Sequence, residues 1–500
     1  GSTLSMINTI MRDNALGIFT ADDGSTYYVN GEYSNIEDLD IIEDNLANCD
    51  CGYSFSSNID GDPLFVDEEG ANYTLYANSP CVNTGSENTA LVDNDIDGTR
   101  SDIGYHSHIN YYAGENGWYI DPLGSDVAGL GNGEQSSPYK SITSAFNFID
   151  PGSVGDVVNV LPGTYNELLI WPERYDVTLR GFGHSIDTPV ILDAEGEGRV
   201  ITMEYRYGAV IEDIYITGGF LDGGDGAGIS IIGGSVSFNG VKIYDNHIDV
   251  DSGLYGCSSR FGGGGRAHNS TVNFNSVEIS NNSINLPDEC SWGEYGAGFS
   301  FSTSDITLNN VDVLNNYSDG YSGGLHFEFG ALQMDNVHFE GNEARGSNSA
   351  IFMTQLSNLV MNNVSMIENG NDFCNNYGAG TIQGIVDGTL TNIQVIGNGA
   401  PGGSVGGLFI EGCPYVEFNN IVVQDNSCLH QNPGLSILNS TVSFDHLLFT
   451  GNNGIGNLYD GQAAFGISNS DVTITNSTIV DNDLNFNNNP SVNDVYGIKL

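Results

Sequence analysis

Between Val241 and Asn482 one short pattern of apolar and polar positions, apolar-x-apolar-x-x-Asn, recurs nine times. It reads Val241-Lys-Ile-Tyr-Asp-Asn246, Val277-Glu-Ile-Ser-Asn-Asn282, Val311-Asp-Val-Leu-Asn-Asn316 and Val337-His-Phe-Glu-Gly-Asn342, and continues to Asn369, Asn398, Asn426 and Asn452. In the last copy, ending at Asn482, Ser477 takes the first apolar place. Successive asparagines lie 36, 34, 26, 27, 29, 28, 26 and 30 residues apart. A repeat of this length marks a solenoid, a propeller or an array.

The period inside each repeat chooses among these. Five residues before each lead position stands another alternating pair, as in Val236/Phe238, Val272/Phe274, Ile306/Leu308, Val416/Phe418 and Val442/Phe444. Earlier still lies a third, as in Ile229/Ile231, Phe299/Phe301, Leu325/Phe327 and Leu435/Ile437. Every run alternates with period two, which is strand and not helix. Three short strands per repeat exclude leucine-rich and helical repeats, and a propeller blade needs more residues and a fourth strand. The pattern therefore predicts an all-β fold: a right-handed parallel β-helix with three strands per coil and a small irregular capping module.

The asparagines supply the reason the coils stack. Asn246, Asn282, Asn316, Asn342, Asn369, Asn398, Asn426, Asn452 and Asn482 fall just past the third strand, where the chain bends and needs a near-left-handed backbone. At a coil spacing of about 4.8 Å, like amides hydrogen-bond along the stack as a ladder. A second file is expected at another corner: Asn310, Asn336, Asn363, Asn392, Asn420 and Asn476, with Gly240, Ser276 and His446 in the remaining coils.

Composition changes the picture in two ways. With 64 acidic against 12 basic residues the net charge is −52, which argues against nucleic acid, an anionic membrane surface and acidic glycans as partners that simply adhere, and no membrane-inserting span is visible. It suits a setting where salt or divalent cations screen the self-repulsion. The eight cysteines, Cys49, Cys51, Cys81, Cys257, Cys290, Cys374, Cys413 and Cys428, form no CxxC pair, so a zinc cluster is not indicated. A disulfide between Cys257 and Cys290 is expected in equivalent loops of adjacent coils. Cys374, Cys413 and Cys428 are read as loop residues offering a further bridge, and Cys81 as a partner for Cys49 or Cys51. An even cysteine count in loops implies an oxidising, extracellular location.

Along the chain, four segments are expected. Residues 1–60 read as terminal coils, with Leu4 to Asn14 matching second and third strands. Residues 61–110 carry Asp62-Pro-Leu-Phe-Val-Asp67, Tyr73-Thr-Leu75, Ser79-Pro-Cys81 and Asp93-Asn-Asp-Ile-Asp97-Gly98-Thr-Arg100-Ser-Asp102-Ile-Gly104. This stretch resembles the choice-of-anchor Q segment that closes β-helices of bacterial surface proteins, departing from it at Tyr105-His106-Ser-His108. Residues 111–165, with Ser125-Asp126, Ser137-Pro138, Ala145-Phe146 and Leu161-Pro-Gly163-Thr-Tyr165, resemble the opening of pectin-lyase-like β-helices. That resemblance implies a short helix near 139–149 capping the first coil. Residues 166–500 are the β-helix itself, read as open at its C-terminal end.

Tyr496-Gly-Ile498-Lys-Leu500 reads as a first strand, and writing Gly1 after Leu500 continues the coil in step with the others. Hence the expectation that residues 1–60 of one unit complete the helix of the preceding one, so that copies assemble head to tail. The alternative is a segment of one longer chain holding two different helices.

Candidate chemistry is sparse. Asp93, Asp95 and Asp97, with Gly98 allowing the bend and Asp102 nearby, suit a hard cation such as Ca²⁺; the alternative is a solvated acidic turn countered by Arg100. On the outward side of the first strands lie Arg266, His268, His326 and Glu328. If the chain is an enzyme, these four are its candidates, with Arg266, His268 and His326 for a lyase's base and carboxylate-neutralising cation. An inverting hydrolase needs a second carboxylate beside Glu328, and none is in that file. Single polar groups on a solvated sheet are the ordinary case. The preferred reading is a structural subunit of an extracellular fibre, cell-surface stalk or adhesin, with copies of itself and a cell-surface glycan as partners. The second is a secreted polysaccharide lyase or glycan-binding β-helix.

Overall fold

In the computed structural model the chain divides into two compact units, Gly1–Leu161 and Pro162–Leu500. The structure describes residues 2–12, 27–37, 42, 46, 51–67, 72–75, 79–82, 84–86, 101–104, 117–127, 130–148, 156–249, 261–286, 295–370, 377–400, 402–429, 431–454, 463–482 and 496–499. Among these, no helix is long and apolar enough to cross a membrane.

The second unit is a parallel β-helix, and the described residues make about 13 turns of β-solenoid. Coils stack in strict register: Phe299 on Leu325 on Ile351, Leu308 on Met334 on Met361, Val313 on Phe339 on Met366. Alternation sends one set of side chains inward, where Phe238 stacks on Phe274 at 4.8 Å, Phe301 on Phe327 at 4.8 Å and Phe418 on Phe444 at 5.0 Å. The inward residues are fully buried, and their removal from water is the main force holding coil to coil.

Two features differ from the pattern-based expectation. In three coils the strands run together, as Phe299–Leu314, Leu325–Glu340 and Ile351–Ile367, because the corners are single left-handed residues and not loops. There is also a fourth, short parallel file, which begins at Phe220–Asp222 and then follows the ladder asparagines at His247–Asp249, Ser283–Asn285, Tyr317–Ser318 and Glu343–Ala344, resumed at Gly399–Ala400, Ser427–Cys428 and Asn453–Gly454. Its inward residue stands two places past each asparagine: Ile248, Ile284, Ser318, Ala344, Ala400 and Cys428, all buried.

The ladder runs unbroken through nine coils. The backbone N–H and Nδ2 of Asn246 both donate to Oδ1 of Asn282, at 3.1 and 3.0 Å. The same double bond links Asn282 to Asn316, Asn316 to Asn342, Asn342 to Asn369, Asn369 to Asn398, Asn398 to Asn426, Asn426 to Asn452 and Asn452 to Asn482. Each Nδ2 also reaches a carbonyl of the preceding coil, as from Asn342 to Val313 O at 2.7 Å. The left-handed residue is the one before the asparagine: Asp245 (φ 51°), Asn281 (54°), Asn315 (53°), Gly341 (65°), Glu368 (52°), Gly397 (67°) and Asp425 (53°). Putting the bend there leaves the asparagine side chain aimed inward. The second file is itself left-handed, φ 53° at Asn310 and 61° at Asn420, and its amides bond coil to coil in water, Asn336 to Asn310 at 3.2 Å and Asn420 to Asn392 at 2.8 Å.

The first unit repeats the plan on a small scale. Ser2–Ile7, Tyr27–Glu32 and Cys51–Ser56 form a parallel sheet, with Met6, Val29, Ile36, Ile42 and Leu46 as core. Thr9, Ser34 and Asn58 make a corner file: Thr9 N–H donates to Ser34 Oγ at 3.2 Å and Ser34 N–H to Asn58 Oδ1 at 2.8 Å. Asn8 takes a left-handed φ of 52° and is held by Ser86 N–H at 2.7 Å. Further on, Ile142–Phe148 is a short helix, with the Ser141 hydroxyl accepting from Ser144 N–H at 3.2 Å as an N-cap. It packs Ile142, Ala145 and Phe146 inward.

The cysteines require a correction. Cys413 and Cys81 are buried free thiols. Cys413 stands in a corner file with Ser270, Ser304, Ser440 and Ser470, each hydroxyl bonding the carbonyl two residues back. Its Sγ does the same, 3.4 Å from Glu411 O, while its N–H donates to Ser440 Oγ at 3.0 Å. Cys428 is the inward residue of the fourth file. Both are interior residues of the coil and not loop residues, and Cys413 is in no bridge. Cys49, Cys257, Cys290 and Cys374, and the side chain of Cys51, lie outside the described residues, as do Asp93, Asp95 and Asp97.

Candidate functional site

The outward side of the first strands is where the sequence put its candidate chemistry. Gly265–His268, Phe299–Leu314 and Leu325–Glu340 lie side by side, so Arg266, Ser300 and His326 form one file and His268, Ser302 and Glu328 the next. All four candidates therefore share three consecutive coils.

His268 stays exposed as on a solvated face, whereas His326 and Arg266 do not. His326 is 2% exposed, because the residues leading into each first strand fold back over the sheet. Phe261, Tyr295 and Tyr321 stack there at 5.5 and 5.4 Å. The imidazole lies 4.6 Å from the Tyr295 ring and 5.5 Å from Phe352, with Nδ1 3.1 Å from Ser300 Oγ. Burial, reinforced by the positive charge of Arg266, pushes its pKa down from 6.5 to about 3. It is a neutral packing residue at any physiological pH.

Arg266 is engaged as well. One Nη bonds Asp225 Oδ2, and the guanidinium sits 4.5 Å from the centroid of Phe261. Asp225 Oδ1 in turn accepts from Phe261 N–H at 2.9 Å, which fixes the ring under the arginine. His268 Nδ1 is 2.8 Å from Ser302 Oγ, and Glu328 is half-buried in the same file. Arg345 pairs with Asp319 at 3.3 Å, and Asp319 also accepts from the Tyr317 hydroxyl at 2.6 Å.

Asp225, Phe261, Tyr295 and Phe352 went unread in the sequence. The signal was present: Phe261-Gly-Gly-Gly, Tyr295-Gly-Ala-Gly, Tyr321-Ser-Gly-Gly and Tyr377-Gly-Ala-Gly repeat an aromatic followed by small residues. The small residues are required, since a Cβ on Gly264 or Gly298 would meet the ladder amide of Asn282 or Asn316 at 2.9 or 3.3 Å.

One constellation elsewhere has the form of a relay. His338 lies 2.7 Å from Ser365 Oγ and 2.9 Å from Glu340 Oε2. The His–Ser contact between coils recurs at His247–Ser283 and His268–Ser302, which marks it as a stacking device. The N–H groups beside it are spent on the sheet, so no oxyanion site accompanies it. Among the described residues, no group of three or more His, Cys, Asp or Glu converges to hold a metal, and Asp102 is buried.

No family model matches the chain, so the resemblance of 62–104 to a closing module gains no support, and no curated protein matches it. Among solved structures, similarity extends to a rhamnogalacturonan lyase, at 15% identity over 64% of this chain and 84% of that one, TM-score 0.28. It extends also to an endo-xylogalacturonan hydrolase from Aspergillus tubingensis, at 14% identity over 68% of this chain and 91% of that one, TM-score 0.26. At these values neither activity carries over.

Proposed function

We propose that this chain is a structural element of an extracellular fibre, surface stalk or adhesin, and not a polysaccharide lyase. The observation that carries this reading is the packing of the first-strand face. A lyase needs a free base and a cation left open to neutralise a uronate. Here His326 is sealed among three aromatic rings, Arg266 is paired with Asp225 over the Phe261 ring, and the exposed His268 has its Nδ1 against Ser302 Oγ.

On this reading copies of the chain join end to end, strand edge to strand edge, and the high negative charge keeps neighbouring assemblies from clumping. The loop of Asp93, Asp95 and Asp97 enters as a Ca²⁺ site, with a fall in melting temperature on adding EDTA as its signature. Electron microscopy of the secreted material tests the reading. Long uniform filaments are expected; dispersed particles that shorten an acidic glycan would overturn it in favour of the lyase or glycan-binding alternative.

A further inference from the structure

Exposed tyrosines gather at one corner of the second unit. On two adjacent coils the turn between first and second strands reads Trp171-Pro-Glu-Arg-Tyr175-Asp176 and Tyr205-Arg-Tyr207-Gly208. Tyr175, Tyr205 and Tyr207 are 61%, 62% and 49% exposed, yet all three are held. Tyr175 and Tyr207 lie 6.0 Å apart, centroid to centroid, and Asp176 N–H donates to Tyr207 O at 3.0 Å, which ties one turn to the other. In the next coil the corner is Gly233, buried beneath Tyr205: a Cβ there would meet that ring at 2.6 Å. The fold does not ask for a ring at this place. Tyr205 has φ 55°, a conformation that costs a bulky side chain energy. Six of the nine equivalent residues in later coils are glycine or asparagine, from Gly233 and Asn269 to Asn439 and Asn469. Strain kept at an exposed ring points to a ligand.

We infer that these rings are a platform for a neutral polysaccharide. The charges among them decide the occupant. Glu173, Asp176 and Glu204 flank the tyrosines in the chain and stand exposed. Arg206 is engaged with Glu173 at 3.8 Å and with Trp171 O at 3.2 Å, and Arg174 Nη1 with Glu173 O at 2.6 Å. A uronate or a sulfate therefore meets carboxylates first. A second copy of the chain sets acid against acid, and an apolar protein face would bury these carboxylates unpaired. A basic segment finds acids over the whole of a molecule carrying −52 and has no need of rings. A neutral sugar satisfies both halves of the site: its C–H face lies on a tyrosine ring, and its hydroxyls donate to the carboxylates between.

Tyrosine suits the contact, since it offers a wide rigid surface with little rotamer freedom to lose. Three rings make a small site, so one chain binds weakly and an array of chains binds well. No ion pair is formed with the sugar, so salt has little effect on the affinity. The inference gives the adhesin reading its partner and rests on that reading. Glycan binding and filament formation are measured separately, so failure of one is not failure of the other.

Affinity electrophoresis of the full chain through native gels containing starch, mixed-linkage β-glucan, galactomannan or xyloglucan tests it. At least one glycan is expected to retard the wild type, and calorimetry with that glycan to give the same affinity in low and high salt. Tyr205→Ala with Tyr207→Ala is expected to weaken binding about tenfold or more. Phe329→Gly, at the same corner four coils away, is expected to leave it unchanged. Tyr205→Gly is expected to weaken binding yet melt no lower than the wild type, because the strain leaves with the ring. Circular dichroism checks that each variant folds. Absence of retardation by all four glycans overturns the inference, as does retardation that survives the double variant. A lower melting temperature in Tyr205→Gly would give that ring a structural task and overturns it too. So does tighter binding of polygalacturonate or poly-lysine that is lost in the double variant, which would mark a charged partner.

Discussion

At the residue scale the molecule depends on side chains that replace backbone in the hydrogen-bond network. Asn342 accepts twice from Asn316 and donates twice to Asn369, with no exposure to water. Asn342→Ala leaves at least two buried donors unmet and is expected to cost about 3 kcal/mol or more in urea unfolding. Glu368 is the reverse case. It holds φ 52° at a position that is glycine in three other coils, Gly341, Gly397 and Gly451. Glu368→Gly is expected to raise stability by about 1 kcal/mol, because a side chain is strained in that region and glycine is not.

His326 gives the pH signature of the same scale. Its folded pKa, about 3, lies below the ordinary 6.5, so the unfolded chain takes up a proton that the folded chain refuses. The stability associated with neutral burial is complete above pH 6.5 and is lost progressively as pH falls toward 3. His326→Phe keeps an aromatic side chain in the box without the proton. Melting temperatures of the two proteins are expected to fall on different slopes between these limits, the wild type more steeply. Parallel slopes would show that the imidazole is not sealed.

At the scale of elements, the alternation and the asparagine spacing were enough to place strands and ladder. The apolar pairs 236/238, 272/274 and 306/308 all point inward, and the asparagines bond as their positions implied. What the pattern hid is instructive. The fourth file has only two or three residues, too short for alternation to register, and its inward residue varies from Ile248 to Ala344 to Cys428. That variety made Cys428 look like a loop cysteine. Cys413 was misread because its partners at that corner are serines, and a thiol doing a hydroxyl's work has no mark in the sequence. His326 was misread because a period-two rule knows only two faces, whereas the stacked rings of Phe261, Tyr295 and Tyr321 roof over part of the outer one.

A thiol assay tests this account of the corner. Burial raises the pKa of both Cys81 and Cys413, so each is expected to stay unreactive to a thiol reagent until the chain unfolds. Cys413→Ser is expected to change stability by less than about 1 kcal/mol, since serine already fills the site in four other coils. Rapid native labelling at Cys413 would place it outside the corner.

At the scale of the whole molecule, three properties act together: a core of stacked aromatic and aliphatic rows, a buried amide ladder, and a surface carrying −52. The first two favour coil on coil, and the third opposes compaction. Melting temperature is therefore expected to climb between low and moderate salt and then level off as screening saturates.

The most direct test of the central claim, that the first-strand face is packing and not catalysis, is an assay on acidic polysaccharides. Polygalacturonate, rhamnogalacturonan and alginate, each incubated with the full chain with and without Ca²⁺, are followed by ultraviolet absorbance for unsaturated uronates and by reducing-end release. The account predicts no product from any of them. Product that appears with the wild type and disappears with Arg266→Ala or Glu328→Gln, in proteins that still fold, would contradict it.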